Sequence, residues 1–378
     1  MAEITNIQWC DSTFNPFIGC TKVSVGPQGA CVNCYAEVAT PVRVMGIKWG
    51  AGQARYRTSE ATWKQPLAWE RHHAAFYAQH GRRQRVFCAS LADVFDNQVD
   101  PQWRADLFGL IRQTPHLDWL LLTKRIGNAE EMIEDAIFSI AEPFKWTYPW
   151  RSRPWPNVWI GATIANQAEA DRDVPKLLDT PARVRFLSCE PLLGPIDLRH
   201  VRAPKHTDAD EDDWTFDALN TGDCYSFWDG QYWEIGDGPE RPHQIDWVIA
   251  GGESGTRARP SHPDWFRSLR DQCVSTGVPY LFKQWGEWWP MSQMPDGVSD
   301  SFYDPKYGNG KRESDRYERS PPKRRDVTTT VLQLDGTESF EFPPGAMTCY
   351  KAGKKAAGRT LDGRVWDQFP GDQFTEAE

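Results

Sequence analysis

The residues best suited to chemistry in this sequence are three cysteines near its amino-terminal end. Ten residues separate Cys20 from Cys31, two separate Cys31 from Cys34, and glycines lie in the longer gap. Thiolates are strong ligands for zinc and for iron–sulfur clusters, so this stretch predicts a metal centre. Three thiolates on a four-iron cluster leave one iron open to a small molecule. A structural zinc ion needs four ligands, and Cys10 could supply the fourth. Free thiols are the third interpretation.

The other cysteines are expected to be small packing residues of the core: Cys88, Cys189, Cys224, Cys273 and Cys349. A total of 9 cysteines is odd and does not suit a secreted disulfide scaffold. The first residues form neither a basic segment nor an apolar run, and no apolar stretch is long enough to span a bilayer. We therefore expect a cytoplasmic protein without membrane contact, whose cysteines are reduced or bound to metal.

Polar side chains follow six successive apolar runs of the sequence. In a parallel barrel such positions converge, because the loops that follow the strands meet at one face. We expect this face to bind the cofactor and substrate, and we assign these candidate binding residues: Ser90, Asp93, Thr123, Lys124, Glu190, Glu253 and Lys283. The cationic groups, including Arg125, could instead pair with Glu190 or Glu253 for structural reasons, and Asn166 could simply cap a helix.

The apolar runs themselves predict the strands of a buried sheet. They are rich in Val, Ile, Leu and aromatic residues and do not alternate with polar ones, as is typical of strands covered on both faces. The runs are 86–90, 119–123, 158–163, 184–189, 246–250 and 279–283, with an earlier strand near Ile7–Trp9. Helical patterns follow most of them, with expected caps at Asp100 and Asn128 and an expected end at Gly277.

This repeated strand–helix pattern predicts an α/β protein built on a parallel (β/α) barrel, partial or complete and TIM-like. A flat, doubly wound sheet is the alternative. We expect residues 1–289 to form the barrel-like domain, with an acidic and aromatic insertion at 199–243. Residues 290–348 are polar and rich in Gly and Pro, and are expected to form an irregular excursion. The tail, 349–378, is expected to pack back on the barrel.

The charge balance bears on which partners the protein can have. With 43 Lys+Arg and 52 Asp+Glu the formal net charge is −9, which argues against a general polyanion-binding surface. Local basic groups at Arg82, Arg83 and Arg85 and at 323–325 could still bind nucleic acid. Most of the 19 tryptophans are expected in the core, although Trp285, Trp288 and Trp289 could line a pocket. The sequence says nothing about the oligomeric state.

Several longer stretches carry a resemblance to a known group of proteins. They include Gly19-Cys20-Thr21-Lys22, Cys31-x2-Cys34-Tyr35-Ala36, Leu122-Thr123-Lys124-Arg125, Cys189-Glu190-Pro191-Leu192-Leu193-Gly194-Pro195 and Gly251-Gly252-Glu253-Ser254-Gly255. In these stretches the chain resembles the three-Cys-motif phage proteins. That group looks like an outlying branch of the radical S-adenosylmethionine enzymes, somewhat similar to spore photoproduct lyase.

The resemblance implies a radical-SAM-like barrel with a [4Fe-4S] cluster on Cys20, Cys31 and Cys34. It also implies S-adenosylmethionine at the open iron and radical chemistry on an unknown substrate, with nucleic acid or a nucleotide as one candidate. The chain departs from the usual radical-SAM pattern in two respects. The first cysteine gap is ten residues rather than three, and the Gly-Gly-Glu triplet follows the sixth strand rather than the second. The alternative is a zinc-stabilised, non-catalytic phage protein that binds nucleic acid or a protein partner.

Overall fold

The computed structural model describes residues 5–140, 149–202, 214–221, 223–228, 231–237, 243–302, 327–339 and 341–371. The acidic run at 208–213 and the basic run at 323–325 lie outside these residues.

The centre of the fold is a sheet of seven parallel strands that follow one another in chain order and curl into a half-barrel. Each strand pairs in parallel with the next. With strands numbered along the chain, these are β1 (Ser12–Phe14), β4 (Gln84–Cys88), β5 (Leu117–Thr123), β6 (Val158–Thr163), β7 (Val184–Cys189), β12 (Trp247–Gly251) and β13 (Tyr280–Gln284). The expected partial parallel barrel is confirmed at this level, and the flat doubly wound alternative is not.

All six predicted apolar runs form strands of this sheet, with bounds within two residues of those expected. Nearly every residue in them is buried, which explains why they do not alternate with polar residues. The prediction of a strand near Ile7–Trp9 is wrong, because the first strand is Ser12–Phe14. Residues 5–10 instead enter the concave side of the half-barrel, where Trp9 packs against Phe87 and Phe186.

Four helices cover the convex side of the sheet, and their apolar faces join one large core with the strands. They are α5 (Pro101–Gln113), α6 (Ala129–Ser139), α7 (Gln167–Asp179) and α8 (Pro263–Thr276). Asp100 caps α5 through Gln102 N, Asn166 caps α7 through Glu169 N, and Gly277 ends α8 in the left-handed conformation, as expected. The capping prediction for Asn128 is wrong in part. It stands before α6, but its amide donates to Phe95 O and Asn97 Oδ1.

Shorter elements surround this body. The helices are α1 (Thr40–Val44), α2 (Glu60–Trp63), α3 (Gln65–Arg71), α4 (His73–His80) and α9 (Lys354–Ala357), and β2 (Phe17–Ile18) pairs with β3 (Tyr56–Arg57). The insertion forms an antiparallel sheet of β8 (Val201–Arg202), β9 (Trp214–Phe216), β10 (Asp223–Trp228) and β11 (Gln231–Asp237). Where we expected an irregular excursion, the described residues add β14 (Trp289–Pro290), β15 (Thr329–Leu332) and β16 (Met347–Tyr350).

The carboxyl-terminal tail lies along β13, at one edge of the half-barrel. Phe282 N donates to Trp366 O, Gln368 N donates to Tyr280 O, and the Phe369 ring reaches the Trp247 ring on the concave side. This edge strand therefore has backbone partners on both sides. In the described part of the chain, none of the helices combines the length and apolarity that crossing a bilayer requires.

Candidate functional site

One cavity of about 560 Å³ opens at the carboxyl ends of the parallel strands. All ten residues assigned from the sequence line it: Cys20, Cys31, Cys34, Ser90, Asp93, Thr123, Lys124, Glu190, Glu253 and Lys283. The strand-end residues come from the ends of β4, β5, β7, β12 and β13, or from the loops just after them. They lie together because all seven strands run in the same direction, so their carboxyl ends meet at one edge of the curled sheet.

The long gap between Cys20 and Cys31 is taken up by a compact loop. Cys31 N donates to Ser24 O at 2.9 Å, and Gly29 N donates to Gly26 O at 2.7 Å. A side chain at Gly29 would bring its Cβ within 2.5 Å of Ser24 O, so this closure requires glycine. Val25 is 65 % exposed at the outer end of the loop. The loop thus projects outward and returns Cys31 to the cavity that Cys20 also lines.

Glu253 and Arg259 hold this loop from the opposite side of the cavity. The Arg259 guanidinium donates to both carboxylate oxygens of Glu253, at 2.6 and 2.9 Å. It also donates to Pro27 O at 2.6 Å and to Gly29 O at 3.1 Å. Asn33, between Cys31 and Cys34, donates to Glu253 Oε2 at 3.2 Å. Glu253 is only 5 % exposed, so its carboxylate is occupied in positioning the cysteine loop.

The two glycines that precede Glu253 lie in closely packed surroundings. A Cβ on Gly252 would lie 1.9 Å from Trp285 O, and a Cβ on Gly251 would lie 2.6 Å from Glu190 Oε1. The Gly252 position needs glycine because a backbone carbonyl approaches it so closely, whereas the Glu190 side chain beside Gly251 can move aside. The Gly-Gly-Glu triplet is therefore a close-packed strand end that presents a loop-binding carboxylate.

Arg125 holds the first cysteine of the loop. Its guanidinium donates to Thr21 O at 2.5 Å, to Asp93 Oδ2 at 3.3 Å and to the Cys20 sulfur at 3.5 Å. Burial, with a smaller effect from the Asp93 carboxylate, raises the pKa of the Cys20 thiol to about 12. The guanidinium opposes this shift and is the group in contact with the sulfur that favours a thiolate.

Asp93 and Thr123 are organising residues whose polar atoms are already bonded. Asp93 Oδ1 accepts from Thr123 Oγ1 at 2.7 Å and from Phe95 N at 3.0 Å, while Oδ2 accepts from Lys124 N at 3.0 Å. The Thr123 hydroxyl in turn accepts from Arg125 N at 2.8 Å. Ser90 likewise exchanges hydrogen bonds with the Asn15 amide. These three residues line the cavity but have little free bonding capacity for a ligand.

Three lysine side chains bring positive charge to the cavity. The Lys124 ammonium makes one long contact among the described residues, 3.5 Å to Thr163 Oγ1. Lys283 pairs with Glu190 at 3.0 Å, and both side chains face the cavity. Lys354, from α9 in the tail, adds a third ammonium, and burial together with the nearby Lys283 charge lowers its pKa. The cavity can therefore receive a carboxylate or phosphate group.

Cys10 is separate from the other three cysteines. It packs with Trp9 and Phe87 in the concave core and does not line the cavity, and burial raises the pKa of its thiol. Around a tetrahedral zinc ion, thiolate sulfurs lie roughly 3.8 Å apart, given Zn–S bonds of about 2.3 Å. Within the described ranges, no three of the cysteine sulfurs lie within 4.8 Å of one another. The arrangement does not match a four-cysteine zinc site.

Several other sequence interpretations change once the fold is known. Of the three arginines before β4, Arg82 binds the Asp11 carboxylate through two bonds and Arg85 is 5 % exposed against the Phe369 ring, while the Arg83 side chain is 41 % exposed and lies 3.7 Å from the Asp118 carboxylate. Trp285, Trp288 and Trp289 lie away from the cavity wall, and Trp285 packs against Phe266 and Phe282. The isolated cysteines whose side chains are described are buried, as expected: Cys88, Cys189, Cys273 and Cys349.

Sequence reasoning also missed some lining residues, among them Asn33, Ser188 and Lys354. Ser188 lies at the end of a predicted strand, so the strand-end rule could have identified it. Asn33 lies between two assigned cysteines and could have been examined with them. Nothing in the sequence near Lys354 indicates that the tail reaches the cavity.

Comparison with curated proteins and with solved structures finds no match in either set. One family model matches residues 4–370, which is nearly the whole chain, and its description is "Protein of unknown function (DUF5131)". The chain belongs to this family.

Proposed function

We propose that the protein is a radical S-adenosylmethionine-type enzyme whose cofactors and substrate share the cavity at the strand ends. One observation carries the proposal. Three thiols and seven polar strand-end residues, assigned independently of one another, line a single cavity, and no fourth cysteine of the described chain does so. Three protein ligands leave a metal centre open to a further molecule, whereas a purely structural site is closed. A TIM-like, radical-SAM-like identity for the half-barrel is part of the same proposal.

The donor set fits an iron–sulfur cluster better than a single zinc ion. Cys20, Cys31 and Cys34 would hold the cluster, because a cluster distributes its thiolates over several irons and does not need sulfurs in mutual contact. When bound, the cluster and S-adenosylmethionine supply radical chemistry that no amino-acid side chain can provide. A cytoplasmic location belongs to this proposal, because partly exposed thiols such as Cys20 and Cys34 stay reduced there.

The chain's own residues bind and orient the ligands in this proposal. The Lys124 ammonium, which lacks a close carboxylate in the described structure, receives an anionic group. The Glu190–Lys283 pair offers a donor and an acceptor side by side at the ends of β7 and β13. Trp9, Phe87 and Leu122 give the cavity an apolar wall that excludes water. Its volume is within the roughly 300–1,000 Å³ typical of small-molecule sites.

The first test is metal content after purification without oxygen. Iron, sulfide and zinc are measured for wild type, Cys20→Ala and the matched control Cys10→Ala, whose cysteine lies off the cavity. We expect four irons per chain in wild type and in Cys10→Ala, and loss of iron in Cys20→Ala. Stoichiometric zinc that disappears with Cys10→Ala would refute the proposal and favour the zinc-stabilised binding protein.

The second test is cofactor cleavage. Reduced protein is incubated with S-adenosylmethionine, and 5′-deoxyadenosine is measured by chromatography, with candidate nucleotides and oligonucleotides added separately. We expect 5′-deoxyadenosine from wild type and Cys10→Ala but not from Cys20→Ala. If the purified protein holds four irons but produces no 5′-deoxyadenosine with any reductant, the site only binds a cluster and the enzymatic proposal is overturned.

A further inference from the structure

A second group of metal-ligand side chains lies at the opposite end of the sheet from the cavity. Glu70 is in α3, His73 begins α4, and His116 directly precedes β5. Seven residues of β5 separate His116 from the Thr123 end, roughly 23 Å at 3.3 Å per residue. This group cannot share a ligand with the cysteines.

The three side chains converge although His116 is far from the other two in sequence. One ligand atom from each lies within 4.8 Å of the others, and this is the one such group in the described chain. Glu70 and His73 lie three residues apart on either side of the turn at His72 that joins α3 to α4. The Glu70 side chain is 17 % exposed and that of His116 is 48 % exposed, so the group is open to solvent on one side.

A hydrogen bond within the group orients the His73 imidazole as metal-ligating imidazoles are commonly oriented. His73 Nδ1 lies 2.7 Å from Glu70 O, and a carbonyl oxygen can only accept, so Nδ1 is the donor and Nε2 is the nitrogen left for a metal ion. His116 Nδ1 lies 2.5 Å from Glu70 Oε1, and His116 N donates to Glu70 Oε2 at 3.2 Å. Backbone groups thus hold both the His73 ring and the Glu70 carboxylate, as is usual around metal ligands.

The two rings are stacked, with centroids 3.8 Å apart and planes 10° from parallel. The rings must turn apart for both lone pairs to meet one ion. The exposure of His116 leaves room for that rotation.

We propose that Glu70, His73 and His116 bind a divalent transition metal of the zinc type, with water at the remaining position. Two imidazoles and one carboxylate suit zinc and its neighbours rather than calcium or magnesium. The bound ion would join α3 and α4 to the start of β5. This site is independent of the proposed radical chemistry, and its failure would leave that proposal untouched.

The test uses Co²⁺ as a spectroscopic substitute for zinc, with wild type, His116→Ala, Glu70→Gln and the control His72→Ala. His72 is exposed and is not a member of the group. We expect a visible cobalt band that lacks the near-ultraviolet absorption of a thiolate ligand. It should be retained in His72→Ala, weakened at least tenfold in affinity in Glu70→Gln and absent in His116→Ala.

Circular dichroism checks that each variant is folded. Zn²⁺ should raise the melting temperature of wild type and His72→Ala, raise that of Glu70→Gln by less, and leave that of His116→Ala unchanged. The proposal is overturned if cobalt binds only with thiolate absorption, or if His116→Ala binds it as tightly as wild type. Because Glu70→Gln keeps the shape of the side chain, it provides the answer even if His116→Ala fails to fold.

Discussion

Arg259 is the residue whose removal should most directly loosen the cysteine loop. Its guanidinium joins the buried Glu253 carboxylate to the carbonyl oxygens of Pro27 and Gly29. In Arg259→Ala both bonds to the loop are lost, while Glu253 keeps its bonds to Asn33 and to the backbone of residue 259. The loop should then open more often without unfolding of the barrel.

The magnitude follows from the two lost bonds. A hydrogen bond to a charged group contributes about 1.5 kcal/mol or somewhat more, so the two together contribute roughly 3 kcal/mol to closing the loop. Since about 1.4 kcal/mol corresponds to a factor of ten, local opening should become about 100-fold more frequent. The amides of Cys31 and Gly29, which bond to Ser24 O and Gly26 O, report this opening directly.

Native-state hydrogen exchange is the assay, because it measures local opening residue by residue. The matched control is Arg267→Ala, which loses bonds to Asp264 and Asp362 but has no contact with the cysteine loop. Arg259→Lys keeps the charge without the planar fork and should give an intermediate increase. Unchanged exchange at Cys31 and Gly29 in Arg259→Ala, or an equal increase in Arg267→Ala, would refute the reasoning.

Two further predictions concern other parts of the fold. Burial raises the pKa of Asp118 to about 6, against the opposing charge of Arg83, so between about pH 4 and 6 the folded protein binds more protons than the unfolded chain. The Asp118 carboxyl therefore lowers the free energy of unfolding as pH rises through that range. In Asp118→Asn this contribution is lost, and urea melts at a series of pH values should show it as a difference from wild type. An unchanged pH profile would contradict this. A Cβ at Gly252 would overlap the Trp285 carbonyl, so Gly252→Ala should lower the free energy of unfolding by roughly 1–3 kcal/mol. Gly26→Ala, with nothing within 4 Å, is the control, and equal melting midpoints would show that the backbone adjusts freely.

Much of the fold follows from local patterns in the sequence. Continuous apolar runs predict strands buried on both faces, and all six became strands of one sheet, because burial of such a run is favourable in any parallel arrangement. The first strand was misplaced because Ile7 and Trp9 are large apolar residues that fill the concave side without forming a strand. The pattern of apolar residues indicates that a segment is buried. It does not distinguish a strand from an irregular segment that fills the inside of the half-barrel.

The sequence also identified most of the residues assigned to the candidate site. It did not show what each of them does there. Cysteine spacing and the strand-end rule identified ten residues that line one cavity. Neither rule shows that Asp93, Thr123 and Glu253 already have partners, because some of those partners come from distant segments. Asn33 and Glu253, for example, are 220 residues apart in the chain.

The sequence by itself thus determined which residue types are available and which end of each strand they follow. Only the tertiary structure decided which carboxylates organise the cavity and which lysines bring charge to it, and only it brought Lys354 from the tail to the site. It also showed that Cys10 packs in the concave core, apart from the other three cysteines, and that His116 lies beside Glu70 and His73. The physical reason is that the local pattern depends on a residue and its near neighbours, whereas a site depends on contacts formed when the whole chain closes.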